Sequence, residues 1–243
     1  MLIDIHAHLD YEPFDKTIDE VIKRSKNNGV KIIIANGTNP KANRKVLELS
    51  KKYDIIKPAL GYYPTEAEEI SDKEFDKELK FIKKNKPIAL GEIGLEFKYG
   101  KDKEKQIRIL KKFIILGQEL DIPLIVHTRG AEEEILEILK NQSKVVLHCF
   151  QGNKKLIQKA IEYKFNFSIP ANIIKLQHFQ MLVKMVPLKS LLTETDAPFL
   201  SPYPNKINEP SNVQLTVNKI AEIKSLDPKE VEKMIFMNYQ RLF

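Results

Sequence analysis

The chain has 243 residues, of which 42% are hydrophobic and 30% charged, with a formal net charge of +7. That length and balance exclude a short peptide or a disordered segment and match one large α/β domain. No apolar run nears the roughly 18–20 residues that cross a bilayer, and the single Cys149 excludes an intramolecular disulfide.

The N-terminus opens directly on a strand carrying Asp4, with no signal peptide pattern. With the lone cysteine, this leads us to expect a cytoplasmic protein. A basic surface favours polyanions such as nucleic acid. Lysines that alternate with glutamates, as over 72–86, also make an ordinary solvated helix face. Nothing calls for a membrane or an obligate protein partner.

Strand and helix alternate along the chain. Residues 2–8 read as a strand, and 14–28 as an amphipathic helix that stops at Gly29. A β-branched strand follows over 30–36. Asn39 and Pro40 read as N-cap and first helical residue of a helix over 41–53. The third strand covers 55–61. Ser71 and Glu74 form a capping box for a helix to about Lys84. Strands at 87–93, 123–127, 144–149 and 165–169 alternate with helices at 102–120, 132–141 and 154–164. A weaker helix ends before Pro187, and an eighth strand covers 188–193. The Pro- and Asn-rich loop 198–210 leads to two last helices. Ser211 with Gln214 resembles a capping box for the first, and Asp227-Pro228-Lys229-Glu230 is a start signal for the second.

Eight short apolar strands separated by helices predict a parallel sheet buried on both faces. Eight strands also close a (β/α)8 barrel, so the expected architecture is a TIM barrel, a single domain over 1–243. The alternative, an open doubly wound sheet, lacks its Gly-rich phosphate loop after the first strand.

The polar residues at the strand ends carry the chemistry. His6 and His8 lie two apart on a strand and share a face. Alone, such a pair is as readily the polar end of a strand. His127 ends strand five and His148 ends strand six. Glu92 ends strand four, and Asp196 follows strand eight. In a (β/α)8 barrel these ends converge on one mouth. Four imidazoles and two carboxylates suffice for two divalent ions, with Glu92 able to bridge them. Two ions about 3.5–4 Å apart suit phosphodiester hydrolysis. The imidazoles favour zinc or manganese over magnesium alone. His178 lies off the strand ends and is expected to bind no metal.

Other residues are read against plainer roles. Arg129 can fork onto a phosphate, or pair with Glu132 or Glu133. Glu194, two residues before Asp196, can orient a ligand, or be a buried barrel carboxylate paired with a lysine. Asn208-Glu209-Pro210 can brace the loop over the mouth or simply turn. Tyr62, Tyr63 and Tyr203 can stack on bases or pack. Cys149 is expected on the face opposite His148, as a small core residue.

These stretches resemble the TatD-type metal-dependent deoxyribonucleases of the amidohydrolase superfamily. The matching segments are IDIHAHLD at 3–10, GEIGLEF at 91–97, PLIVHTR at 123–129, HCFQG at 148–152, TETDAPFL at 193–200, NEPSNV at 208–213 and NYQRLF at 238–243. The resemblance implies a distorted (β/α)8 TIM barrel with a two-metal site, with His6, His8 and Asp196 on one ion, His127 and His148 on the second, and Glu92 shared. It implies Asp196 as general base, with Glu92 beside it in catalysis. The chain departs from the family at Tyr63 and Thr65, where histidines are usual, at Gly130, where the family has Asp, at Glu96-Phe97 and at Pro170. The activity implied is cleavage of DNA phosphodiester bonds. Hydrolysis of a carboxylic ester, amide or lactone on the same barrel is the alternative, and a non-catalytic nucleic-acid binder is a third.

Overall fold

The apolar runs become eight strands: β1 Leu2–Ala7, β2 Val30–Asn36, β3 Ile56–Leu60, β4 Ala89–Glu96, β5 Leu124–Arg129, β6 Val145–His148, β7 Asn166–Pro170 and β8 Leu191–Glu194. The computed structural model describes residues 1–243. Each strand pairs in parallel with the next, in sequence order. Every residue of β1 and β4 is buried, as strands covered on both faces require. The ring closes between β8 and β1 at an Ala7–Ala197 bridge. There the Asp196 N–H donates to His6 O at 2.8 Å and the His8 N–H to Ala197 O at 2.7 Å. This is a (β/α)8 TIM barrel, joined at its seam by a short bridge where other neighbours share a longer ladder.

Two apolar cores hold it. The interior cluster takes Ile3, Ile5, Ile34, Ala59, Ala89, Ile125, Val146 and Leu192 from seven of the strands. Leu242 of the last helix, Pro228–Leu242, joins them and plugs one end. Asn238 of that helix donates to Leu188 O and Leu191 O, each at 2.8 Å, so the plug sits where β8 begins. The opposite end, where the strands finish, stays open. The larger cluster fills the layer between strands and outer helices.

The register slips three times, between Leu2 and Ile3 and between Asp4 and Ala7 on β1, and between Leu90 and Ile93 on β4. The last two flank candidate ligands, His6 and Glu92. Bulges of this kind re-aim side chains.

The capping signals at Asn39, Ser71–Glu74 and Asp227 are realised. Other expectations need correction. The helix expected over 14–28 is two, Glu12–Asp15 and Ile18–Asn27. Thr17 Oγ1 donates to Pro13 O at 2.9 Å, tying off the first turn before the second helix starts. Ser211 and Gln214 form no capping box. Residues Pro210–Asn212 make a 3-10 turn, and the helix starts at Val213. Asn212 instead donates its amide to Asn208 Oδ1 at 2.8 Å, serving the loop over the mouth. A short helix, Pro64–Glu68, follows β3, and β4 runs on to Glu96. No helix is long and apolar enough to cross a membrane.

Candidate metal centre at the barrel mouth

The six strand-end residues meet at the open end. His6 and His8 Nε2 lie 3.1 Å apart. Glu92 stands between two pairs of imidazoles. Its Oε2 is 3.5 Å from His6 Nε2 and 3.3 Å from His8 Nε2. Its Oε1 is 2.9 Å from His127 Nδ1 and 3.9 Å from His148 Nε2. Asp196 Oδ1 lies 3.5, 3.3 and 4.0 Å from Nε2 of His6, His8 and His148. The His6 and His148 rings stack at 3.7 Å. A cavity of 470 Å³ opens over the cluster.

The imidazoles are aimed from behind. A carboxylate or carbonyl can only accept, so a ring nitrogen that faces one from behind carries a proton there. His8 Nδ1 faces Asn36 O at 3.1 Å, and His148 Nδ1 faces Glu194 Oε2 at 2.8 Å. His127 Nε2 faces Glu96 Oε2 at 3.2 Å. In all three rings the other nitrogen points into the mouth. His6 Nδ1 is the exception, being buried without a partner.

Charge in the cluster is arranged to the same end. Burial opposes ionisation of Glu92, but hydrogen bonds from His127, His6 and His8 outweigh it and hold the carboxyl well below its usual range. Burial likewise raises Asp196, and its bond to His8 brings it below the ordinary value. Burial pulls His148 down, yet the Glu194 carboxylate pushes it up to about 9. Glu92 and Asp196 have only histidines as ion partners within 4.0 Å. Buried carboxylates facing imidazoles, with no lysine or arginine between them, make a seat for cations. Three triads within it could each hold a metal: His6–His148–Asp196, His6–His8–Glu92 and Glu92–His127–His148. The donor set therefore fits divalent metal.

The surrounding residues are distributed differently from expectation. Arg129 pairs with Glu96, at 3.5 Å, not with Glu132 or Glu133. Glu194 partners His148, not a lysine. Cys149 leaves the strand with φ 44°, so the alternation rule fails for it. Its Sγ donates to Glu194 Oε1 at 2.7 Å, and it lines the mouth. Tyr62 is 5% exposed and packs on Phe75, away from the cavity. Tyr63 lines the cavity, its hydroxyl 3.3 Å from Glu96 Oε2 and 3.2 Å from His127 Nε2. Tyr203 is exposed farther along the loop. Asn208 and Glu209 do brace that loop: the Asn208 amide donates to Thr195 O and Phe199 O, and Glu209 accepts from Arg24. His178 lies outside the cluster, on the helix Gln177–Met185, with Nε2 3.0 Å from Phe150 O.

Sequence reasoning missed Glu96 as a partner of His127. The available signal was its spacing from Glu92, since residues four apart on one strand share a face. It also missed Asp4, buried and accepting from Thr195 N at 2.9 Å and His6 N at 3.2 Å. That carboxyl group ties β1 to the segment after β8, just below the ligands.

A closed parallel barrel whose mouth gathers four imidazoles and two carboxylates defines a protein of the metal-dependent hydrolase class. The chain belongs to the TatD related DNase family, whose model matches residues 3–243. It is 37% identical to a metal-dependent hydrolase of Methanocaldococcus jannaschii, over 99% of this chain and 96% of that protein. It is 32% identical to the deoxyribonuclease TATDN3 of Homo sapiens, over 100% of this chain and 94% of that protein. Among solved structures, the TatD homolog YJJV of Escherichia coli superposes with a TM-score of 0.90 at 26% identity, over 100% of this chain and 97% of the other.

Proposed function

We propose that this protein is a deoxyribonuclease that hydrolyses DNA phosphodiester bonds with two divalent ions, zinc, manganese or magnesium, working in the cytoplasm. His6, His8 and Asp196 would hold one ion, His127 and His148 the other, with Glu92 shared. The observation that carries this assignment is the Glu92 carboxylate, whose two oxygens face different histidine pairs, at 3.3–3.5 Å on one side and 2.9–3.9 Å on the other. The family and the human relative's name support DNA as substrate, and the lone free thiol fits a reducing compartment.

Bound there, the ions supply Lewis acidity and lower the pKa of a water towards neutrality. The chain's own residues do the rest. Asp196, ionised by its histidine contacts, accepts the proton of the attacking water. Glu194, Glu96 and Asn36 hold the imidazoles in place. Arg129, 45% exposed at the cavity edge, and the Tyr63 hydroxyl bind the non-bridging phosphate oxygens.

The test is digestion of end-labelled single-stranded DNA by chelated protein and by protein reloaded with magnesium, manganese or zinc. Reloaded protein should cut, and Glu92→Ala or His127→Ala should lower the rate at least about 100-fold while the barrel stays folded. Chelated protein that cuts as fast as reloaded protein overturns the assignment. A parallel panel of esters and lactones decides against the carboxylic substrate if DNA is preferred.

A further inference from the structure

One rim of the mouth is aromatic and apolar where the opposite rim is polar. Phe199 is 44% exposed and Leu200 37% exposed, and both line the cavity with Tyr11. The Tyr11 and Phe199 rings meet edge to face, with centroids 5.1 Å apart and planes at 86°. Both stand on His8, at 5.6 and 5.9 Å between ring centroids. Across the cavity lie Arg129 and Tyr63.

This apolar rim is held rigidly. The Phe199 N–H donates to Asp196 O at 2.8 Å, and Phe199 O accepts from the buried Asn208 amide at 2.8 Å. The same amide donates to Thr195 O at 2.7 Å, tying the loop to the end of β8. A large aromatic ring left in water on an ordered backbone is prepaid: its ordering cost was met in folding, so a ligand that covers it keeps most of the gain.

We propose that Phe199, with Tyr11 and Leu200, forms a nucleobase subsite that takes the base flanking the scissile phosphate of an unpaired DNA strand. The proposal rests on the deoxyribonuclease function above. A nucleotide has the matching polarity: an anionic phosphate for the Arg129 and Tyr63 side, and a flat base for the aromatic rim. The lower site is recessed, with His6 0% and Glu92 3% exposed. A stacked duplex cannot bring a phosphate that deep without freeing the adjoining base, whereas an unpaired base arrives free to stack. Stacking on an aromatic side chain tolerates every base, because each has a π face. The subsite therefore selects strand state and not sequence.

The test uses a single-stranded oligonucleotide with one 2-aminopurine, and the same oligonucleotide made abasic at that position. Wild-type protein should quench the 2-aminopurine on binding and should bind the abasic strand about 10-fold more weakly. Phe199→Ala should lose the quench and raise KM about 10-fold, with kcat changed by no more than about twofold. It should no longer distinguish abasic from base-bearing DNA, and Phe199→Trp should restore both quench and KM. An unchanged quench and KM in Phe199→Ala overturns the subsite. So does an equal loss on abasic and base-bearing strands, which marks a general loop defect. If wild type cuts no DNA with any metal, the function proposal fails, and the quench alone then decides the subsite.

Discussion

Glu194→Gln isolates the charge that aims His148 into the mouth. The buried carboxylate takes His148 Nδ1 at 2.8 Å and the Ser168 hydroxyl on Oε2, and the Cys149 thiol on Oε1 at 2.7 Å. Glutamine has the same shape and can keep its oxygen toward His148 and Ser168, turning its amide to the weakly accepting sulfur. What it removes is the charge on the acceptor. A hydrogen bond to a charged group contributes about 1.5–3 kcal/mol, against about 1 kcal/mol for a neutral one. The difference, about 0.5–2 kcal/mol, is about 2–30-fold in an equilibrium constant, and its upper part overlaps the about 10–100-fold range for partners of metal-bound histidines. We expect Glu194→Gln to weaken zinc or manganese binding about 10-fold, read by competition with a chromophoric chelator. Cys149→Ala, which deletes only the weak donor on the other oxygen, should change affinity much less. Circular dichroism of the metal-free proteins checks that the barrel persists. Glu194→Gln binding metal as tightly as wild type would refute the idea that this carboxylate tunes His148.

Two further perturbations probe the frame beneath the site. Gly94 has φ 147°, and a Cβ there would stand 1.9 Å from His127 O on the next strand. Gly94→Ala should cost about 3 kcal/mol or more in chemical denaturation, from strain and overpacking together; a loss under about 1 kcal/mol contradicts this close approach. Asp4 is pushed up to about 8 by burial, only partly offset by its bonds to Thr195 and His6, from an ordinary value of 3.8. The unfolded chain gives up that proton near 3.8, while the folded chain keeps it until about 8. The folded state thus binds more protons in this window, and stability must fall as pH rises through it. In chelator, wild-type stability relative to Asp4→Asn should decline steadily between pH 5 and 8, and parallel curves for the two proteins would contradict the shift.

Much of the site was legible because its members punctuate apolar runs. His127 ends Leu124–Arg129 but for two residues, and His148 is the last residue of Val145–His148. A polar metal-type side chain at the end of a buried strand is visible in one dimension. Glu96 was hidden because β4 runs three residues past its expected end at 93, so its spacing from Glu92 lay across an assumed strand boundary. Cys149 is buried in the core as expected, but its face was misplaced because strand alternation stops where φ turns positive, and nothing in His-Cys-Phe announces that turn. Tyr62 and Tyr63 are neighbours of one chemical type. Only the packing of Phe75 against the first, and of His127 beside the second, separates a core ring from a cavity one.

Apolar periodicity, turn residues and capping groups act over a few positions, so the chain by itself determined eight strands, their helices and which polar residues stand at their ends. The distances among those residues depend on ring closure. Asp196 meets His6 across a β8–β1 seam joining segments 190 positions apart, which exists only when every intervening strand is in register. The second tier, Glu96 behind His127 and Glu194 behind His148, follows from the same closure. Contacts between distant segments carry no local signature, and tertiary packing alone decided them.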